Sequence, residues 1–205
     1  MKKLRILVVD DTHANIEAAK IASKNFPQHE FVFMTSADEA FKGIEKFDAV
    51  ITDLFFPEKP CEEMMETYEK MQAVYSEENR SVKYLAEIEK FLFKDISLRE
   101  RLEKNLSYVR DGSKHGFPLG LPIMIKASQQ YKKTCLISSI GGGHNNHGGV
   151  DGVIILLPLV DRGILSVRTE WGRSCSYGGI NFADTGTAKD EPEIWEKAIH
   201  CILAQ

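Results

Sequence analysis

The sequence predicts an α/β fold: a doubly wound, five-stranded parallel sheet in the order 2-1-3-4-5 with helices on both faces. Two observations favour it. Short β-branched and apolar runs alternate with stretches of helical spacing, and this alternation is typical of strand–helix–strand crossover units. The first run, RILVVDD (5–11), is apolar at every position until its acids, which is typical of a parallel strand covered on both sides.

The predicted elements follow in chain order. Apolar runs that end at acids or turn residues predict strands at 5–11, 30–37, 47–56, 133–140 and 150–160. Helical spacing of apolar residues predicts helices at 12–26, 36–47, 121–133 and 191–204. Ser36 and Glu39 have the spacing of a capping box at the second helix. The last helix has five apolar positions that are expected to face inward: Ile194, Trp195, Ala198, Ile199 and Ile202.

Two segments interrupt this pattern within a single domain that spans 1–205. Residues 60–114 are charge-dense, with apolar residues at helical spacing, and they predict a helical insertion. This insertion is either a solvated face or a surface for a partner or a homodimer. Residues 164–187 have turn residues and little periodicity, and we expect irregular or short β structure there, before the last helix.

Composition limits the function classes. The net charge is -4 and no stretch is dense in lysine and arginine, so nucleic acid is not an expected partner. The longest apolar run, 152–160, is half of the roughly 20 residues that cross a bilayer, and no membrane span is expected. Four separated cysteines and the lack of a signal-peptide pattern indicate a cytoplasmic protein with free thiols.

Three carboxylates end the first and third predicted strands. Asp10 and Asp11 follow the first strand, and Asp53 ends the third. In a 2-1-3-4-5 sheet these strands are neighbours, and their carboxyl ends line the ligand crevice. We therefore expect the three acids to meet. Their mutual repulsion would be relieved by a hard divalent cation, and Mg²⁺ is the expected cofactor.

The same residues resemble a known family. The VVDD pair after the first strand and the D-x-x-x-P pattern of TDLFFP after the third are similar to the receiver domain of two-component response regulators, which has a flavodoxin-like fold. The resemblance covers 4–57 well, 119–160 moderately and the last helix loosely. Both motifs stand in order, with a helix, a strand and a helix between them.

The resemblance implies that Asp53 accepts a phosphoryl group from a histidine kinase or a phosphotransfer protein. Asp10, Asp11, Asp53 and the backbone carbonyl of Phe55 would bind Mg²⁺. A downstream protein partner would read the modified state, and no residues are left over for a DNA-binding output domain, so a stand-alone regulator is expected.

The family also has a hydroxyl after the fourth strand and a lysine after the fifth. Ser138 or Ser139 matches the hydroxyl. The lysine is missing, because Leu157 stands before the proline of ILLPLV, and Lys189 is the candidate replacement if 164–187 is an insertion.

Two other functions remain open. The insertion and the missing lysine are also compatible with an adaptor or dimerisation module that is not phosphorylated. The GGGHNNHGG loop places His144 and His147 after the fourth strand, where neutral imidazoles can ligate a transition metal. With the aspartates they would form a metal-dependent hydrolase, although two histidines are fewer than most zinc sites use.

Overall fold

The structure is a computed structural model. It describes residues 2–76, 107, 109–110, 116–138, 156, 158–159, 162–165, 176–177, 180–184 and 189–205.

Four parallel strands form the centre of the sheet. They are β1 (Arg5–Val9), β2 (Glu30–Met34), β3 (Ala49–Asp53) and β4 (Lys133–Ser138), in the order β2-β1-β3-β4. Val9 lies opposite Met34 on one side and opposite Thr52 on the other. The predicted α/β class and the first four positions of the predicted strand order are confirmed.

The fifth predicted strand is wrong. Within 150–160, the described residues Leu156, Pro158 and Leu159 are helical, and all three are buried. A short apolar run has no period that separates a buried strand from a buried helix. The place beside β4 is taken by a later segment, as two short strands, β5 (Ser176–Tyr177) and β6 (Ile180–Asp184), continue the sheet beyond β4.

The β6 strand lies parallel to β4, and β5 is antiparallel to β6. Part of the segment 164–187, expected to be irregular or short β, therefore belongs to the sheet.

Five α-helices have defined bounds in the described part of the chain. They are α1 (His13–Ser23), α2 (Ala37–Gly43), α3 (Glu62–Ser76), α4 (Gly120–Gln129) and α5 (Pro192–Leu203), and a 3₁₀ turn (Ile44–Lys46) follows α2. The predicted cap of α2 is confirmed, because the Ser36 hydroxyl accepts a hydrogen bond from the Glu39 backbone N–H at 3.3 Å. No helix among these residues is long and apolar enough to cross a membrane.

The helices cover both faces of the sheet. On one face α1 and α5 pack together over β1, β3 and β4, and the five predicted apolar positions of α5 are buried there. On the other face α2 and α4 pack against the sheet and α3 packs against both of them. Much of the predicted insertion at 60–114 lies outside the described residues, so its proposed role in dimers stays a prediction.

The chain just beyond β3 is fixed by the segment that leads into α4. Phe56 and Phe117 exchange backbone hydrogen bonds of 2.9 and 2.8 Å, and the Gly120 N–H donates to the Leu54 carbonyl at 3.1 Å. The approach is so close that a Cβ at Gly120 would lie 1.9 Å from the Asp53 carbonyl oxygen. Only glycine fits at this contact, which places the start of α4 directly against the end of β3.

Gly120→Ala is expected to destabilise the protein by about 3 kcal/mol, because backbone atoms must shift to admit the methyl group. Chemical denaturation followed by circular dichroism measures the change. Gly43→Ala is the matched control: its Cβ would lie 3.9 Å from the Phe47 ring, and alanine is favoured in helices, so its stability should equal or exceed the parent's. Equal unfolding midpoints for both variants would show that the close approach is absent.

His29 should make the stability depend on pH. Its buried Nδ1 accepts a hydrogen bond from the Leu4 backbone N–H at 3.2 Å, and its Nε2 has no partner among the described residues. Burial, and then the charge of Lys133, lowers the pKa of His29. His29 therefore binds a proton more readily in the unfolded chain than in the folded one. As a result, the stability of the fold decreases as the pH drops below the unfolded pKa of about 6.5.

His29→Asn keeps an acceptor for Leu4 and removes the titration. Its free energy of unfolding should change less steeply than the parent's between about pH 6.5 and pH 5. Chemical denaturation at several pH values in this range measures both slopes. Identical slopes for the parent and His29→Asn would contradict the assignment.

Candidate functional site

Three carboxylates meet at the carboxyl edge of the sheet. Asp10 and Asp11 directly follow β1, and Asp53 is the last residue of β3. One side-chain oxygen from each lies within 4.8 Å of the others. Asp10 and Asp53 are buried, and Asp11 is partly exposed. The predicted convergence is confirmed, and it follows from the adjacency of β1 and β3.

Lys189 joins two of these acids. Its Nζ lies 2.5 Å from Asp53 Oδ1 and 3.3 Å from Asp10 Oδ2. The side chains are 10% exposed for Lys189, 11% for Asp53 and 0% for Asp10, so these ion pairs are screened much less than surface pairs. Lys189 follows β6 by five residues and precedes α5. The structure thus places the candidate lysine at the aspartates.

Three donor groups hold the carboxylate of Asp10. Its Oδ1 accepts hydrogen bonds from the Thr12 backbone N–H and from Asn15 Nδ2, both at 2.9 Å, while Oδ2 faces Lys189. A carboxylate has about four lone-pair sites, so Oδ2 keeps one for a further ligand. The role of Asn15 was not predicted from the sequence. The position of this amide next to the inward-facing Ile16 of α1 is the feature that could have indicated it.

Burial and mutual repulsion set the protonation of the site. Burial raises the pKa of Asp53 to about 6; Lys189 acts to lower it and the Asp10 charge raises it further. Burial also raises the pKa of Asp11, with the Asp10 charge as the next cause. Burial acts to lower the pKa of Lys189, but the charges of Asp53 and Asp10 outweigh it, and the net shift is upward. Lys189 is therefore an ammonium ion at neutral pH.

The residues fit a hard divalent cation. Three ionised carboxylates and one ammonium leave two formal negative charges, which a divalent cation neutralises. The donors are all oxygen atoms, and Mg²⁺ binds through one or two carboxylates with water in its remaining positions. Asp11 is the partly exposed member, so the cluster has a side open to solvent. Asp10, Asp11 and Asp53 are the residues that would hold the ion.

The other predicted site residues divide into two groups. Ser138 is the last residue of β4 and lies opposite Asp184, one step beyond the pair formed by Ile137 and Asp53, so its backbone is at the same edge. Phe55 lies two residues past Asp53 with a buried side chain, and metal binding by its carbonyl stays a prediction. Three predicted residues lie outside the described part of the chain: Ser139, His144 and His147.

Glu58 links the loop after β3 to the start of α2. Its Oε1 accepts hydrogen bonds from the Ser36 hydroxyl at 3.1 Å and from the Asp38 backbone N–H at 3.2 Å. The Glu58 charge also adds a small upward contribution to the pKa of Asp11. Glu58 therefore lies near the acidic cluster, and its role was not predicted from the sequence.

Comparison of the chain with models of protein families, with curated proteins and with solved structures found no match in any of the three. The site is therefore interpreted from its own geometry.

Lys189→Ala should destabilise the protein by about 3 kcal/mol without divalent cations, because it leaves two buried carboxylates without their counter-charge. Mg²⁺ should restore part of this loss, since a ligand that binds only the folded state stabilises it. Thermal unfolding with and without Mg²⁺ measures both effects.

Lys20→Ala removes an exposed ion pair with Glu17 and should change stability far less than Lys189→Ala does, because exposed ion pairs contribute little. If Lys189→Ala is as stable as Lys20→Ala and gains no stability from Mg²⁺, then Lys189 does not pair with the buried carboxylates of Asp53 and Asp10.

Proposed function

We propose that this chain is an atypical response-regulator receiver in which Asp53 accepts a phosphoryl group, with Mg²⁺ as cofactor, and which signals through protein contacts. One observation supports this most strongly. The ammonium of Lys189 lies between Asp53 and Asp10, with Asp11 beside them, at the carboxyl edge of a parallel sheet. A cationic donor and two further carboxylates that suit a hard cation thus lie beside the carboxylate of Asp53, whose side chain is 11% exposed.

The chemistry needs a nucleophile and a means to neutralise charge. At neutral pH Asp53 is mostly ionised, because its pKa is about 6. A carboxylate oxygen of Asp53 attacks the phosphorus, the bond between phosphorus and the donor's imidazole nitrogen breaks, and the imidazole leaves with the electron pair and takes a proton from solvent. Bound Mg²⁺ supplies positive charge for the phosphoryl oxygens, and positioning with charge neutralisation is the main source of catalysis in such transfers.

Phosphorylation would change the partners of Lys189. In the unmodified site its Nζ contacts Asp53 Oδ1. In the acyl phosphate this oxygen belongs to an ester-like group without a full charge, and the phosphoryl oxygens are the stronger acceptors. Lys189 would then exchange its contact with Asp53 Oδ1 for a contact with the phosphoryl oxygens. The backbone that follows Asp53 is hydrogen-bonded, at Leu54 and Phe56, to the segment that leads into α4.

A second function is favoured by the same ion pairs. The contacts of Lys189 with Asp53 and Asp10 already balance much of the buried charge, and a site of this kind can be purely structural. The chain would then be a receiver-fold adaptor or dimerisation module that signals without phosphorylation. Partners of either form, whether a histidine kinase, a phosphotransfer protein, a downstream protein or a second copy of the chain, belong to these proposals.

The test is intact-mass spectrometry after incubation with acetyl phosphate and Mg²⁺. The parent should gain the mass of one phosphoryl group, the gain should need Mg²⁺, and Asp53→Asn should abolish it. Asp48→Asn is the matched control: Asp48 precedes β3 at the opposite end of the strand, where its carboxylate accepts a hydrogen bond from the Arg5 backbone N–H.

Asp48→Asn keeps an acceptor for Arg5 and should be labelled like the parent. An unchanged mass of the parent would favour the adaptor. Labelling of Asp53→Asn at the parent's rate would place the phosphoryl group elsewhere.

A further inference from the structure

Trp195 is connected to the site through the backbone of Lys189. Its indole Nε1–H donates a hydrogen bond of 2.7 Å to the backbone carbonyl of Lys189. Six residues separate the two along the chain, and Trp195 lies in the first turns of α5. The bond therefore ties the turn that presents Lys189 to the helix that follows it.

The indole itself is fixed. Trp195 is 0% exposed and belongs to the apolar cluster between α1, α5 and the sheet, which also contains Ile6 and Ile199. A buried indole N–H needs a hydrogen-bond partner, and here that partner is a backbone atom of the site lysine. The position of the Lys189 peptide is thus set from inside the core.

The two residues between Lys189 and α5 lie at the surface. Asp190 and Glu191 are exposed, and Glu191, at the N-cap of α5, makes no side-chain capping hydrogen bond. Lysine has a long, flexible side chain that loses rotamer entropy when it is held in one position. A fixed peptide reduces the number of ways in which the ammonium can leave Asp53 and Asp10.

We propose that Trp195 is a positioning residue for the phosphoryl-acceptor site: its indole N–H fixes the Lys189 peptide and thereby holds the ammonium across Asp53 and Asp10. This inference rests on the proposed function for its consequence, but the positioning of Lys189 can be measured without it. In this proposal Trp195 acts through Lys189.

The first experiment measures the accessibility of Lys189. The protein is treated briefly with acetic anhydride, and acetylation of Lys189 is quantified by peptide mass spectrometry. Trp195→Phe keeps an aromatic ring and removes the N–H, and Lys189 should become acetylated about tenfold faster, which is the lower end of the effects found for residues that orient site groups. Ile199→Val, a buried change one turn away in the same cluster, should leave the rate as in the parent.

A second variant covers the case in which Trp195→Phe does not fold. Replacement of Trp195 by benzothienylalanine keeps the two fused rings and exchanges only the N–H for sulfur. It should give the same faster acetylation of Lys189. Parent-like acetylation of Lys189 in the variants without the N–H would overturn the inference, because Trp195 would then only fill space.

The second experiment is a double-mutant cycle on the rate of labelling by acetyl phosphate with Mg²⁺. Trp195→Phe should slow labelling about tenfold in the parent, and should slow it no further in Lys189→Ala, because the lysine through which it acts is gone. Independent, additive losses would contradict positioning through Lys189.

The two experiments separate the two proposals. Faster acetylation of Lys189 in the variants, with no labelling of the parent, would support the positioning and refute the phosphoryl-acceptor function. Labelling of the parent, with unchanged acetylation of Lys189 in the variants, would support the phosphoryl-acceptor function and refute the positioning by Trp195.

Discussion

The ion pairs of Lys189 with Asp53 and Asp10 are the contacts on which the site depends. All three side chains are at most 11% exposed, and a buried charge without a partner is far more costly than a buried pair. The lysine contacts two of the three carboxylates but carries a single positive charge, so two formal negative charges remain in a cluster whose partly exposed member is Asp11. The same arrangement that makes burial of the acids tolerable therefore also creates the attraction for a hard cation.

The fold brings these groups together from distant parts of the chain. The adjacency of β1 and β3 sets Asp10 beside Asp53, and α5, packed against α1, places Trp195 and with it the Lys189 peptide at the same edge. On the other face, Gly120 allows α4 to begin against the Asp53 carbonyl. Asp53 thus lies against the start of α4 and contacts the lysine that precedes α5.

The convergence of the three acids could be predicted from the sequence, because neighbouring parallel strands have their carboxyl ends at the same edge of a sheet. The fifth strand was predicted wrongly, because the apolar run GVIILLPLV has no period that distinguishes a strand from a helix. In the structure, Leu156 and Leu159 of this run are helical. The strand that precedes Lys189 is Ile180–Asp184, in a stretch of weak periodicity. The hydrogen bonds of Asn15 and Trp195 depend on tertiary placement, which spacing along the chain does not reveal.

We propose that the three acids bind one divalent cation at one end of the sheet, and a titration with Mn²⁺ in place of Mg²⁺ locates that ion. Paramagnetic broadening of backbone amide resonances falls steeply with distance, and β3 alone separates the two ends of the sheet by about 17 Å. At low Mn²⁺ the amides of Asp11, Thr12 and Leu54 should broaden first, and that of Asp48 should stay sharp. Equal broadening at Asp48 and Leu54, or none at Asp11, would contradict the account.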